Sequence, residues 1–425
     1  MIKKRVVLFG PGPQFKGGIS NYNTSLARAI NKFQDWEVYI VSWTQQYPAI
    51  IPRDFIDRAS RTNLLEGTNI QVIYLTNYNN PFSWQKTVAA IREINPQKVI
   101  FQWAIALQGL PMGFIARKLY QTTKAEIIFD LHLVVQKESS LLDRIFTRYG
   151  LKVAHTYITH AHKTADELEQ VFPQISFKRT ETNTRFASPT RTILKLYHPV
   201  YDMFQENQNF DIQSFKKQLG LKKYVFLFFG FIRKYKGLHN VIPAFAKVAE
   251  KRNDVSLLIV GESFWKTLDQ SRFTTRLKQQ LFAFAKKIFL RNSDNEDDYQ
   301  PLELINTYHL HDYVRVINSF VPNEEVHRYF QVSDAILTYY ITATPSGVES
   351  LAYNFKMPVL ATRVGHFPET ITDGFNGYLA EADNIDSMAE TMHRFLEKTI
   401  DRENVAQAAK NMSWENYAAC VLETT

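Results

Sequence analysis

Short runs of apolar and aromatic residues recur along this 425-residue chain, separated by stretches in which apolar positions return every three or four residues. Runs that are hydrophobic on both faces mark strands of a parallel sheet covered on both sides, and the intervening spacing marks amphipathic helices. In the first half the strand runs lie at 6–9, 38–42, 72–75, 99–102, 127–131, 157–159 and 192–196. A second series occupies 225–229, 257–260, 314–317, 335–338 and 359–361. Strand and helix alternating in two series predict an α/β protein of two Rossmann-like, doubly wound domains. A polar segment at 198–210, with Pro199 and the run Gln205-Glu206-Asn207-Gln208-Asn209, separates them. The expected division is 1–203, then 204–400 with an insertion at 262–313, then terminal helices at 401–425 that pack back toward the N-terminal domain. Two such units facing each other leave a cleft at the C-terminal ends of their strands, where sheets of this kind bind ligands.

Composition narrows the class. A hydrophobic fraction of 45% with 22% charged residues excludes a disordered chain. The single cysteine, Cys420, excludes an intrachain disulfide and leaves no thiolate metal site, which fits a reducing compartment. The opening Met-Ile-Lys-Lys-Arg followed by the run 6–9 reads as a buried strand and not a signal peptide. No apolar stretch of about 18 residues is present to span a membrane. The expected location is therefore cytoplasmic. A net charge of +8 points to an anionic partner such as a nucleotide, a lipid surface or nucleic acid. The cations are dispersed and no aromatic platform accompanies them, which disfavours nucleic acid.

Three segments carry candidate chemistry. The loop Gly10-Pro-Gly-Pro-Gln-Phe-Lys-Gly-Gly-Ile-Ser follows the first strand, and Gly17 and Gly18 let backbone amides approach a phosphate or sugar at a helix start. Its spacing is not that of the dinucleotide fingerprint, and an ordinary turn would use the same glycines. After the strand 225–229 comes Gly230-Phe-Ile-Arg-Lys-Tyr-Lys-Gly237, a strand-to-helix loop in which Arg233, Lys234 and Lys236 can neutralise a departing diphosphate. In Ala343-Thr-Pro-Ser-Gly-Val-Glu-Ser, the residues Ser346, Gly347 and Val348 open a helix whose free N–H groups and dipole face an anion. Ser346 serves equally as an N-cap.

In this order the segments resemble glycosyltransferase family 4. The resemblance is carried by the Gly-Gly-Ile-Ser loop, His132 after the strand 127–131, His198-Pro199, the GFIRKYKG loop and Val260-Gly261-Glu262. It continues through Ala361-Thr-Arg-Val-Gly-His-Phe-Pro-Glu369, Asp373-Gly-Phe-Asn-Gly377 and Ser413-Trp414-Glu415. The resemblance implies a GT-B fold and a retaining transfer of a hexose from a nucleotide diphosphate sugar, with no metal and no other cofactor. The donor would lie in the C-terminal domain, and a glycan or lipid-linked acceptor would approach from the N-terminal one. Arg233 and Lys236 would stabilise the leaving diphosphate. Gly17, Gly18, Ser346, Gly347, Val348 and Glu349 would bind the donor, and its base would lie against Phe320 and Val321. His132 would stand near the transferred sugar, with Glu138 a further candidate for orienting the acceptor and His160 and His198 weaker ones.

The chain departs from the family in three places. Phe231 stands where the family has its arginine; on an extended segment Arg233, two residues on, keeps the same face. Ala343 and Leu351 occupy the positions of two family glutamates, and Glu349, about 200° round the helix from Leu351, cannot simply replace the second. The insertion carries Phe273, Leu277, Leu281, Phe284, Ala285 and Ile288 at helical spacing among Arg272, Arg276, Lys278, Lys286 and Lys287. That pattern fits a basic helix on the inner face of an anionic membrane, and it equally fits a helix packed on its own domain. Loss of both glutamates keeps open a catalytically silent sugar-nucleotide or glycan binder. A sugar-nucleotide epimerase of the same fold is the remaining alternative.

Overall fold

The computed structural model describes residues 3–48, 55–135, 141–263, 299–345 and 347–422. Fourteen strands among these build two wholly parallel sheets. The first comprises β1 (Lys4–Phe9), β2 (Trp36–Gln45), β3 (Gln71–Asn77), β4 (Lys98–Trp103), β5 (Glu126–Leu131), β6 (Thr156–Thr159), β7 (Phe177–Thr180) and β8 (Arg191–Lys195). Its order is β3-β2-β1-β4-β5-β6-β8-β7. The second comprises β9 (Tyr224–Phe229), β10 (Val255–Val260), β11 (Val314–Ile317), β12 (Ala335–Thr338), β13 (Val359–Thr362) and β14 (Gly377–Ala380), ordered β11-β10-β9-β12-β13-β14.

The two faces of the first sheet follow from the period of two along a strand. Val6, Leu8, Ile40, Ile100, Ile128 and Ile158 enter one buried cluster, while Val7, Phe9, Val41, Val99, Phe101 and Phe129 enter another on the opposite face. The first of these clusters runs on into the second sheet through Tyr201 and Phe204. Both faces are therefore apolar, and short crossover helices cover them.

Helix limits follow local chemistry. Asn80 accepts a hydrogen bond from the Phe82 N–H at the start of Pro81–Ile94, and Asn95 ends that helix in the left-handed region. Asp211 caps Ile212–Leu219, which opens the second unit, and Gly220 closes it at φ 63°. The last helix, Trp414–Leu422, returns to the first domain. Trp414 packs edge-on against Tyr22 with ring centroids 4.9 Å apart, and the Tyr417 hydroxyl donates to Asp130 Oδ2 at 3.0 Å.

Glu138, Ser346 and the insertion segment 264–298, including the expected helix at 273–288, lie outside the described residues. Among the described residues no helix is long and apolar enough to cross a membrane.

Candidate active site

The C-terminal ends of β1 and β9 face each other, and the loops that leave them wall a cavity of about 290 Å³. From the first domain come Gly17, Gly18, Asn21 and Asp57; from the second come Gly230, Phe231, Lys236, Phe320, Val321, Gly347, Val348 and Leu351. Gly17 has φ 108°, a conformation that side-chain-bearing residues rarely adopt, and it directs the chain into the helix Gly18–Asn31. Opposite, Gly347 and Val348 open the helix Gly347–Asn354, which turns the positive end of the helix dipole toward the cavity. Two helix starts thus meet across one cavity.

Tyr201 from the interdomain segment holds these starts in register. Its hydroxyl donates to the Gly18 carbonyl at 2.9 Å, and its ring lies so close to Gly347 that an added Cβ there would stand 2.6 Å from Tyr201 Cε2. The cleft is also bridged at its rims. Asn323 N–H donates to Ser60 Oγ at 3.1 Å, Arg61 N–H to Glu324 Oε1 at 3.1 Å, and His162 N–H to Glu369 Oε1 at 3.2 Å. Lys16 Nζ sits 5.0 Å from the centre of the Phe320 ring.

Lys236 is the cation on the wall. It is buried beneath Gly230, with Nζ 3.5 Å from the Phe229 carbonyl and 5.8 Å from the centre of the Tyr340 ring. Burial, and secondarily the charge of Arg233, pull its pKa down to about 7. An anion in the cavity would reverse that shift.

Not every expected residue reaches the cavity. Arg233 does not line it; the guanidinium carbon lies 5.6 Å from the centre of the Tyr235 ring. The same-face argument fails because the segment is not a continuous strand. Gly230 turns at φ 93°, Ile232 bridges to Ser263, and a 3₁₀ turn, Lys234–Lys236, begins directly after Arg233. Phe231 takes the wall position instead.

Glu349 also turns away. On its helix Val348 and Leu351 face the cavity, and a residue about 100° from Val348 points into the domain. Its buried carboxylate accepts hydrogen bonds from His366, Thr370 and the Tyr353 hydroxyl. These partners, led by His366, outweigh desolvation and hold its pKa below the usual value.

His132 does not line the cavity. Its Nε2–H donates to Gln102 Oε1 at 2.8 Å, and its ring meets Tyr22 edge-on at 4.6 Å. Burial drives its pKa down to about 4. His160 donates to Asp130 at 2.8 Å, and His198 Nδ1 stands 2.6 Å from Ser350 Oγ. Sequence reasoning missed Asn21, Asp57 and Tyr201 on the wall, and no motif marks them.

Two facing Rossmann-like domains with the ligand cleft between them define the GT-B fold. HepE of Anabaena, solved with UDP and glucose, matches with a TM-score of 0.61 and 15% identity over 97% of this chain and 94% of that one. A sucrose-phosphate synthase of Thermosynechococcus elongatus gives 0.62 and 14% over 99% and 97%. In sequence, residues 209–412 match the family described as Glycosyl transferases group 1. Spore coat protein SA of Bacillus subtilis is 24% identical over 273 residues, 60% of this chain and 64% of that protein. Lipopolysaccharide 1,2-N-acetylglucosaminetransferase of Salmonella typhimurium is 26% identical over 200 residues, 46% of each. The chain thus spans 46% to 64% of the length of these two relatives.

Proposed function

We propose that the protein is a retaining glycosyltransferase that moves a hexose from a nucleotide diphosphate sugar to a glycan or lipid-linked acceptor, in the cytoplasm and at the inner face of the membrane. One observation carries the reading: a buried lysine and the N–H groups of a helix start line one wall of a cavity whose other wall is a second helix start. Breaking the sugar–phosphate bond leaves negative charge on the diphosphate, and preorganised cations and amides stabilise that charge more than they stabilise the ground state. Lys236 supplies the charge, Gly347 and Val348 the amides, and Gly17 and Gly18 the facing contact. The match of residues 209–412 to glycosyl transferases supports the same reading. So does the likeness of fold to HepE, whose structure carries UDP and glucose.

The reaction proceeds without a metal on this reading, because the diphosphate charge is met by Lys236 and backbone amides. Among the described residues no group of three His, Cys, Asp or Glu side chains is placed to hold one. Leu351 on the cavity wall, where a carboxylate would grip a ribose, favours one competing reading, a protein that binds the nucleotide sugar without turning it over.

Thermal unfolding with UDP, GDP and ADP and their glucose derivatives tests the proposal, since only a ligand of the native state raises the melting temperature. A rise with one nucleotide, followed by nucleotide release from its sugar that persists in EDTA, is the expected result. A rise without release would select the silent binder. No rise with any member would remove the nucleotide-sugar reading.

A further inference from the structure

We propose that Asp57 and Asn21 form a subsite for sugar hydroxyls on the N-terminal wall of the cavity. The assignment rests on the nucleotide-sugar reading above and adds to it the place where the sugar is gripped.

Both residues line the cavity, on the side contributed by the first domain. Asp57 Oδ1 accepts hydrogen bonds from the Ala59 and Ser60 N–H groups, each at 3.0 Å, which fixes the orientation of the carboxylate. Among the described residues Oδ2 has no hydrogen-bond partner, and neither has the Asn21 side-chain amide. The segment that carries Asp57 is anchored at both ends. Lys16 N–H donates to the Phe55 carbonyl at 2.8 Å and Asp57 N–H to the Gln14 carbonyl at 2.9 Å, tying it to the glycine loop. The contacts of Ser60 and Arg61 with Asn323 and Glu324 tie it to the opposite domain. A preorganised carboxylate with one uncommitted oxygen therefore faces the cavity beside an uncommitted amide.

The ligand chemistry follows. A carboxylate repels a diphosphate at contact distance, so the phosphates lie toward Lys236 and the start of the helix Gly347–Asn354. What Asp57 can accept is O–H, and the Asn21 amide both donates and accepts. That pair matches the vicinal hydroxyls of a sugar. The sugar is either the one carried by the donor or the one that receives it, and the two sources separate experimentally.

The decisive variant is Asp57→Asn, which keeps Oδ1 for the Ala59 and Ser60 N–H groups and removes the charged acceptor from the cavity. Calorimetric titrations use the nucleoside diphosphate selected in the unfolding panel, alone and as its glucose derivative. Saturation-transfer NMR then follows glucose, galactose, mannose and N-acetylglucosamine in the presence of that nucleotide. The nucleotide itself should bind Asp57→Asn within about twofold of wild type, while the sugar contribution falls about tenfold, the loss of one charge-assisted hydrogen bond. A fall confined to the nucleotide sugar assigns the subsite to the donor; a fall confined to the free sugars assigns it to the acceptor. Asn21→Ala should move the same quantity in the same direction. Wild-type sugar binding by Asp57→Asn, an equal loss for the bare nucleotide, or no sugar signal in the wild type would each overturn the subsite. Failure of the wild type to bind any nucleotide defeats the underlying reading first, and is recognised separately.

Discussion

The depressed pKa of Lys236 predicts that nucleotide binding takes up a proton. In the empty cavity the ammonium is held near pKa 7 by burial and by Arg233. A diphosphate favours the charged form, so the pKa of the complex lies higher. At pH 6 the free protein is roughly nine-tenths protonated at this site, and at pH 9 about one-hundredth. Affinity should therefore fall about tenfold per pH unit above 7, until the pKa of the complex is reached. Below 7 the lysine contributes no further slope. The ligand does not obscure this window, since a terminal phosphate with its second pKa near 6 is about nine-tenths ionised by pH 7.

Titration calorimetry from pH 6.5 to 9, in two buffers of different ionisation enthalpy, measures both quantities. Proton uptake should approach one at pH 8, and Lys236→Met should abolish the slope while weakening binding about 10²-fold at pH 6.5. The empty protein should respond with the opposite sign. Between about 7 and the ordinary lysine value of 10.5 the unfolded chain binds a proton that the folded one refuses, so stability rises with pH across that window. Below 7 the full cost of the buried charge remains, and Lys236→Met should raise the melting temperature there. Affinity constant from pH 7 to 9, or a slope that survives Lys236→Met, would refute the linkage.

Two further substitutions separate the cradle from its support. Gly347→Ala places a Cβ against the Tyr201 ring and should weaken nucleotide binding about tenfold by calorimetry, with unfolding lowered by only a few degrees. Glu349→Ala removes one partner from a buried set and should cost about 3 kcal/mol in urea unfolding at pH 7. Because the folded pKa of Glu349 is depressed, that contribution is present above its unfolded value and is lost as pH falls through the folded one. Wild type and variant should therefore converge in acid.

The regions of the strands were legible because both faces of each sheet are buried, so the apolar runs are unbroken. Two strands escaped. Phe177–Thr180 is an edge strand reading Phe-Lys-Arg-Thr, with Lys178 and Arg179 exposed, and it carries no apolar run. Gly377–Ala380 is four residues long and starts at a glycine whose added Cβ would strike the Val359 carbonyl at 2.1 Å. In the site, backbone features were legible and side-chain directions were not. Glycine pairs and a helix start are written in residue type. Whether Arg233 or Lys236 faces the cavity depends on where a 3₁₀ turn begins, which residue type does not reveal. Asp57 and Tyr201 reach the wall only through long-range packing, between segments far apart in the chain.

His132 shows how position in the fold overrides a familiar pattern. A histidine at the end of a strand that faces a cleft suggests contact with substrate, yet here the ring does not line the cavity; it packs against Tyr22 and bonds to Gln102. Three histidines, Asp130, Tyr22 and Tyr417 share one buried cluster where the first domain, the interdomain segment and the last helix meet. Within it His160 and Tyr417 bond Asp130, while His132 and His198 bond Gln102 and Ser350. Burial, with a smaller contribution from His160, outweighs the pull of Asp130 toward protonation and holds the His132 ring neutral down to about pH 4. His198 is depressed in the same direction, mainly by burial. The unfolded chain binds these protons near 6.5 and the folded chain does not, so stability should fall as pH drops from 6.5 toward 4. His132→Gln should flatten part of that slope in urea unfolding at pH 7, 6, 5 and 4.5. It should also leave nucleotide affinity within about twofold of wild type, since the ring does not line the cavity. A tenfold loss of nucleotide affinity with unchanged acid stability would return His132 to the site.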